Sequence, residues 1–539
     1  MAIESAYYVQ SSYEIEGALS VAWLQEAWQQ VIGRHEVLRS SFVWEGLAEP
    51  LQVVQRRVPL TVREYDWREL PEAEALERLR AHQEGERREG FALGEAPLLK
   101  LSLMRLGEQR YYLNWSHHHL LLDGWGTAIV LQEVFTCYEA LRHGQAAVLA
   151  RRRPYRSYVE WLQRQDLGAA EAYWRERLRG FRGAPALPLR RAESGATLGN
   201  YAEREVKLDE VTTARLKAVV RNRHLTLNTL VQGAWALLLS RYCGEEDVVF
   251  GITMSGRPAE LAGAEQMVGL FINTLPLRVT VTAEQPVWQW LAELQQQQAE
   301  MQSYEYSPLV QVQGWSEVER GTPLFETILV FENYPVDPLR SIPGGDETGV
   351  LNLLDIKSKE QTNYPLTLRA RPEQRLVLNI IFDEQLFEPQ TIERLLDHLQ
   401  LILEAFATGE EQSLSALPLL TEAERQQLLT AWNETAAPYP AGETIAELFE
   451  AQVARTPEAV ALREGKRELS YQQVNEQANQ LGHQLRSLGV GPEVVVGICL
   501  ERSAEMVLSL LAVLKAGGAY LPLEPGYPQE RLAFMLEDA

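Results

Sequence analysis

Between Arg110 and Leu141 the spacing of apolar residues changes once, and that change restricts the fold more than any other feature of the chain. In "RYYLNWSH", Tyr111, Leu113 and Trp115 alternate with Tyr112, Asn114 and Ser116, the two-residue period of a half-buried strand. After Asp123-Gly124, the residues Val130, Val134, Cys137, Tyr138 and Leu141 recur at helical spacing. A strand that feeds directly into a helix demands mixed α/β layers, and the connection between them is where reactive side chains are displayed. That connection, "SHHHLLLDGWG", carries three consecutive histidines in a chain that has nine.

The same grammar runs through most of the chain. Leu24, Trp28, Val31 and Ile32 share one face of an amphipathic helix that leads into "RHEVLRSSF". Further on come a helix around Asn228 to Tyr242, a strand "DVVFGIT", the apolar segment "LFINTLPLRV", a strand-like "LVLNIIF", and a helix carrying Ile392, Leu395, Leu399, Ile402 and Phe406. A chain of 539 residues exceeds one ordinary core. The mixture predicts an α/β fold of two sandwich-like lobes, 1–175 and 176–415, with Leu167 to Pro188 as the passage between them. Past Gly409 the polar, proline-containing "LPLLTEAERQQLLTAWNETAAPYPAGE" predicts a linker over 416–443, before apolar periodicity returns near Thr444 in a further domain, 444–539.

A formal net charge of −23 repels phosphate backbones and anionic lipid, so neither nucleic acid nor membrane is an expected partner. The Arg151 to Arg153 run is expected to be a solvated loop. Cys137, Cys243 and Cys499 have no paired spacing and lie in apolar or aromatic surroundings, which predicts buried free thiols and a reducing cytoplasm. The opening "MAIESAYYVQ" lacks a basic region followed by an apolar run, and no stretch approaches the roughly 18 apolar residues of a membrane span. Export and membrane insertion are not expected.

A histidine projecting into a cleft can accept a proton from a nucleophile or hydrogen-bond a developing charge. Asp123, four residues after His119, either orients that ring or anchors the loop on an arginine, and Gly124 permits close approach of a substrate or another backbone. Shared metal ligation is disfavoured because adjacent histidines at a strand end point to opposite faces.

"HHLLLDG", His118 to Gly124, resembles the HHxxxDG signature of non-ribosomal peptide synthetase condensation domains, a motif that other acyltransferases share. In the same order along the chain, "RHEVLRSSF" from Arg34, "YRSYVEW" from Tyr155, "VGLFINTLPLR" from Val268, "RGTPLFE" from Arg320 and "TNYPL" from Thr362 are similar to further segments of that family. "LSYQQVNEQANQL" from Leu469 and "LKAGGAYLPLEPGYP" from Leu514 look like the first core motifs of adenylation domains. No glycine-rich phosphate loop or catalytic lysine of that family follows, so 444–539 reads as a truncated adenylation fragment. The family's first motif is absent before "YYVQSSYEIEG", so the opening helix of the first lobe is expected to be missing.

The resemblance implies two chloramphenicol-acetyltransferase-like lobes in a V, with a tunnel entered by carrier proteins. It implies amide bond formation, the amine of one carrier-bound amino acid attacking the thioester of another, as in antibiotic and other secondary-metabolite synthesis. The implied partners are upstream (donor) and downstream (acceptor) peptidyl carrier proteins and an adenylation domain in cis. It implies no covalently bound cofactor, the 4′-phosphopantetheine being supplied by the partner carrier proteins. His119, His118, Asp123 and Gly124 form the implied catalytic centre, supported by Arg34, Arg278, Asn273 and Trp125.

Within that centre His119 is the reactive histidine, as base or as positioner of the amine. His118 is structural, Asp123 pairs with Arg34, and Gly124 shapes the tunnel wall. Asn273 and Arg278 either line the tunnel or support it, and Trp125 and Trp161 are expected in the core. "DGWG" is similar to domains that take an L-configured donor, although a serine is usual where Gly126 stands. The competing readings are a non-catalytic docking platform and a free-standing acyltransferase that uses the same motif.

Overall fold

The computed structural model describes residues 7–184, 187–189, 201–333, 351–359, 362–439 and 441–539. Two compact units divide the chain, Met1–Leu429 and Thr430–Ala539.

Among the described residues the first unit contains two large sheets, each with its own apolar core, and a small antiparallel pair, Ser40–Val43 with Leu51–Val54. One large sheet has five strands in the order Asn352–Lys359, Tyr8–Glu16, Arg110–His118, Leu99–Arg105, Val62–Asp66. Every pair in it is antiparallel except the last. The other has six, in the order Tyr201–Lys207, Leu376–Asp383, Leu366–Pro372, Thr327–Phe331, Asp247–Met254, Asn273–Thr280. The strand Asn352–Lys359 comes from the later half of the chain yet extends the first sheet, so the lobe expected at 1–175 borrows a strand from beyond it.

The helix Val21–Arg34 is capped by Ser20 and buries Leu24, Ala27, Trp28, Val31 and Ile32, the expected face with one addition. Trp28 meets Trp115 edge-on at 4.8 Å. Full burial of such side chains contributes about 1.5–3 kcal/mol each.

The strand Arg110–His118 departs from expectation because it is buried on both faces. The helix Glu72–Glu89 covers its polar face and lowers Glu86 into it. The Glu86 carboxylate accepts from Asn114 Nδ2 at 2.8 Å, Ser116 Oγ at 3.0 Å and Ser102 Oγ at 3.1 Å. Burial pushes its pKa up, but hydrogen bonds from His82, Ser116 and Ser102 outweigh that and hold it below the ordinary value. Alternation signals one apolar face; it does not say whether the other meets water or a satisfied polar layer.

In the second lobe the helix Leu227–Cys243 is buried almost all round, and Trp174, Trp235, Phe250, Phe382, Phe387 and Phe406 fill the core. The segment 416–443, expected to be a linker, contains the helix Glu422–Leu429 within the first unit. Glu424 Oε2 lies 2.9 Å from His398 Nε2, whose Nδ1 lies 2.7 Å from the Tyr242 hydroxyl. A polar, proline-containing composition reports exposure, and this short helix, with no buried residue, has it.

Among its described residues the second unit carries a hairpin, Val460–Glu464 with Arg467–Ser470, a parallel pair, Val495–Ile498 with Ala519–Pro522, and four α-helices of which Tyr471–Ser487 and Ala504–Ala516 pack together. Thr444 and Glu447 form a capping box that starts the helix Ile445–Arg455. Cys137 is buried and Cys243 half-buried, but Cys499 is exposed just past the end of its strand. No helix among the described residues is long and apolar enough to cross a membrane.

Candidate active site

The strand Arg110–His118 ends at the histidines, and the backbone fixes them from both sides. His118 N–H donates to Leu98 O at 3.0 Å and His119 N–H to Tyr7 O at 2.8 Å. Their rings meet different surroundings. His117 is sealed against Trp115 at 4.9 Å, and burial with two neighbouring imidazoles depresses its pKa to about 3. His118 is buried with its ring edge-on to Phe91; burial and His119 lower its pKa to about 4. Its Nδ1 accepts from Leu120 N–H at 3.2 Å, which places the proton of the neutral ring on Nε2. His119 lies in the turn, partly exposed, and its imidazole makes no hydrogen bond among the described residues.

The turn closes on Asp123. Its Oδ1 accepts from Gly126 N–H at 2.6 Å and so caps the helix Gly124–Arg142. Arg257 Nη2 reaches both carboxylate oxygens at 3.0 Å, and Phe271 N–H donates to Oδ2 at 3.2 Å. The pair is sealed, with side-chain exposures of 1% for Asp123 and 5% for Arg257. The Asp123 N–H in turn donates to Gly269 O at 3.3 Å.

The expected Asp123–Arg34 pair is therefore not formed. Arg34 Nε instead lies 3.2 Å from Glu133 Oε2, and its Nη2 donates to Ala150 O. Glu133 is a buried hub that also meets His35 Nε2 at 2.6 Å and Arg152 Nε at 2.6 Å. The cause is position along one helix: Asp123 caps its start, where the 257–271 loop of the second lobe arrives, whereas Arg34 packs beside a later turn. Arg152, expected in solvent, is drawn in by the same hub and also donates to Gln266 O at 3.2 Å; Arg151 and Arg153 are exposed.

The segment "VGLFINTLPLR" is the seat of this loop. A Cβ on Gly269 would lie 2.0 Å from the Tyr155 ring, whose hydroxyl donates to Leu270 O, so glycine is required there. Asn273 Nδ2 donates to Glu305 O and Ser307 O at 2.8 and 2.7 Å. Arg278 clasps Asp247 at 2.7 Å and donates to Arg179 O at 2.7 Å. Both are engaged in holding the second lobe together. Trp125 is half-buried with the Arg257 guanidinium 5.2 Å from its ring, and Trp161 is half-buried and stacked on Tyr158. Gly124 opens the helix; the close approach falls at Gly126, where a Cβ would sit 3.2 Å from Gly269 O and 3.1 Å from Asp123 Oδ1.

Sequence reasoning missed Arg257 and Glu133. A weak signal existed for the first: "MSGRP" places an arginine between turn-forming residues just past a strand. Glu133 sits in a helix that is otherwise apolar on that side, and no spacing rule pairs it with Arg34 and Arg152.

A family model described as "Condensation domain" matches residues 1–429, and one described as "AMP-binding enzyme" matches residues 449–539. Over 99% of its length the chain is 48% identical to one of the linear gramicidin synthase proteins of Brevibacillus parabrevis, covering 7% of that protein. Over 99% of its length it is 38% identical to bacitracin synthase 3 of Bacillus licheniformis, covering 8%. Thus it spans less than a tenth of either relative. A four-domain nonribosomal peptide synthetase solved with AMP and glycine superposes with a TM-score of 0.80 at 20% identity, over 99% of this chain and 41% of that one. The first condensation domain of the calcium-dependent antibiotic synthetase, solved with a substrate analogue, gives 0.64 at 20% identity, over 78% and 95%.

Proposed function

This chain belongs to the condensation-domain family through residues 1–429, and on that premise we propose that it forms the amide bond between two carrier-bound substrates in non-ribosomal peptide synthesis. The acceptor amine attacks the donor thioester carbonyl, a C–N bond forms, and the C–S bond breaks to release the thiol of the donor carrier. Each substrate arrives on the 4′-phosphopantetheine arm of a peptidyl carrier protein, one upstream and one downstream. Residues 449–539, which match the AMP-binding family, accompany it in cis; the thiols without paired spacing favour a cytoplasmic setting.

One observation carries the reading. Of three adjacent histidines, only His119 has a ring that is neither sealed in the core nor hydrogen-bonded among the described residues. An imidazole nitrogen left open in this way accepts a hydrogen bond from the acceptor amine, orients its lone pair towards the carbonyl, and takes up positive charge as the bond forms. His118, neutral and bonded to Leu120 N–H, stiffens the turn. Asp123 has its oxygens committed to Arg257, Gly126 and Phe271, so it positions the turn without touching substrate. Gly126 and Gly269 permit the close approach on which that seat depends.

The test is a single-turnover assay with two loaded carrier proteins, product detected by mass, on the parent chain and on His119→Ala. Loss of product in a folded variant is expected. Equal product from both overturns the role of His119, and no product from a folded parent that still binds carriers favours a docking platform.

A further inference from the structure

Two motif segments, "TNYPL" and "RGTPLFE", have no part in the chemistry above, yet they converge on the histidine turn through one residue. Tyr7 stands opposite His119 at the end of the ladder: the next pair along is Tyr8 with His118, and the Tyr7 carbonyl accepts the His119 N–H at 2.8 Å. Tyr7 has a φ of +64°, in the left-handed region that a β-carbon disfavours. An aromatic residue remains there only when its surroundings over-determine it.

The surroundings include a bond to the other lobe. The Tyr7 hydroxyl donates to Asn363 Oδ1 at 2.9 Å. Asn363 follows the strand that extends the first sheet beside Tyr8–Glu16, and three residues later the chain enters the second sheet at Leu366. Its position is set locally. Tyr364 stacks on Phe325 at 5.4 Å, its N–H donates to Thr362 Oγ1 at 3.3 Å, and that hydroxyl meets Thr367 Oγ1 at 3.0 Å. Tyr7 thus ties the main chain of His119 to the second lobe through a contact separate from that of Asp123.

We propose that Tyr7 is a positioning residue for His119, with Asn363 as its anchor in the second lobe. While the hydroxyl–amide bond is made, Tyr7 keeps its left-handed conformation and its carbonyl stays aimed at the His119 N–H. Once the bond is lost, the strand end relaxes, the carbonyl turns away, and the imidazole loses its fixed place in the turn.

The turnover part rests on the condensation reading; the positional part does not, and the experiment separates them. Tyr7→Phe, Asn363→Ala, Asn363→Asp and the double variant Tyr7→Phe/Asn363→Ala are made in the full chain. In hydrogen–deuterium exchange, the peptide covering 116–123 is expected to exchange faster in Tyr7→Phe and Asn363→Ala, with the unfolding midpoint unchanged. Asn363→Asp keeps the acceptor and should behave as the parent. In turnover with loaded carriers, kcat is expected to fall about threefold to tenfold with KM unchanged. The double variant should be no worse than either single one, because both remove the same bond. Unchanged exchange, additive losses or an effect on KM alone overturns the proposal. If the folded parent gives no product, the condensation reading fails and the exchange measurement still decides the placement of His119.

Discussion

Asp123 and Glu133 are buried carboxylates of one segment, the first capping the helix Gly124–Arg142 and the second lying within it, yet they join different parts of the molecule. Asp123 takes its cation from Arg257 in the second lobe, and both partners are sealed from water. Glu133 gathers Arg34, His35 and Arg152, two of them arginines with 27% and 15% of the side chain exposed. A charge whose partner can turn to solvent is cheaper to strand than one that cannot. The Asp123 pair is therefore the rigid fastening behind the histidine turn, and the Glu133 hub a more forgiving brace beside it. Glu305 is the third case: 6% exposed, one carboxylate oxygen without a partner, and no cation facing it among the described residues.

Arg257→Ala should have the largest effect, because it leaves Asp123 charged and dry; about 3–5 kcal/mol of stability is expected to be lost, read from urea denaturation of the full chain. Gly269→Ala should come next: the added methyl drives Tyr155 off the loop, and reduced stability together with loss of condensation is expected at unchanged carrier binding. Glu133→Gln should cost less, about 1–3 kcal/mol. Arg34→Ala should cost least, about 1 kcal/mol or below, and finding it more damaging than Arg257→Ala would reverse the comparison.

The pH dependence sharpens the contrast because two of these carboxylates respond in opposite directions. For Glu133, burial raises the pKa but His35, Arg152 and Arg34 outweigh it, so the folded value lies below the unfolded 4.5. The unfolded chain then binds the proton more readily, and the hub's stabilisation is present above pH 4.5 and lost as the pH falls through the folded value. Glu133→Gln should accordingly flatten the acid side of the stability curve. For Glu305, burial raises the folded pKa to about 7, with Glu260 adding to the shift against a hydrogen bond from the Gly256 N–H. Here the folded state binds the proton more readily, and stability declines from pH 4.5 to 7. Glu305→Gln should remove that decline, so its stability relative to the parent rises between about pH 5 and 8 on the same scale, measured by thermal unfolding at each pH. An unchanged pH slope would mean that Glu305 is ionised throughout.

Legibility followed the range of the interaction. The face of Val21–Arg34, the strand ending at the histidines and the helix after Asp123 are set by spacing within a few residues, and they stand where the pattern put them. The polar face of that strand misleads, because its cover comes from a helix some thirty residues away in sequence. Arg152 and Cys499 misled for a related reason: burial of a charge depends on a distant partner, and burial of a thiol on the layers around its strand.

By itself the sequence determined that the chain alternates strands and helices, that a strand ends at the histidines, and that an aspartate closes the turn after them. These are consequences of backbone period and capping, which act locally. Only the tertiary structure decided that the aspartate takes Arg257 rather than Arg34, that Glu133 collects the motif arginine, and that Tyr7 reaches Asn363. Each of these choices depends on which distant segment the packing brings to which turn, and a charge or a hydrogen-bonding group takes its partner without regard to its place in the chain.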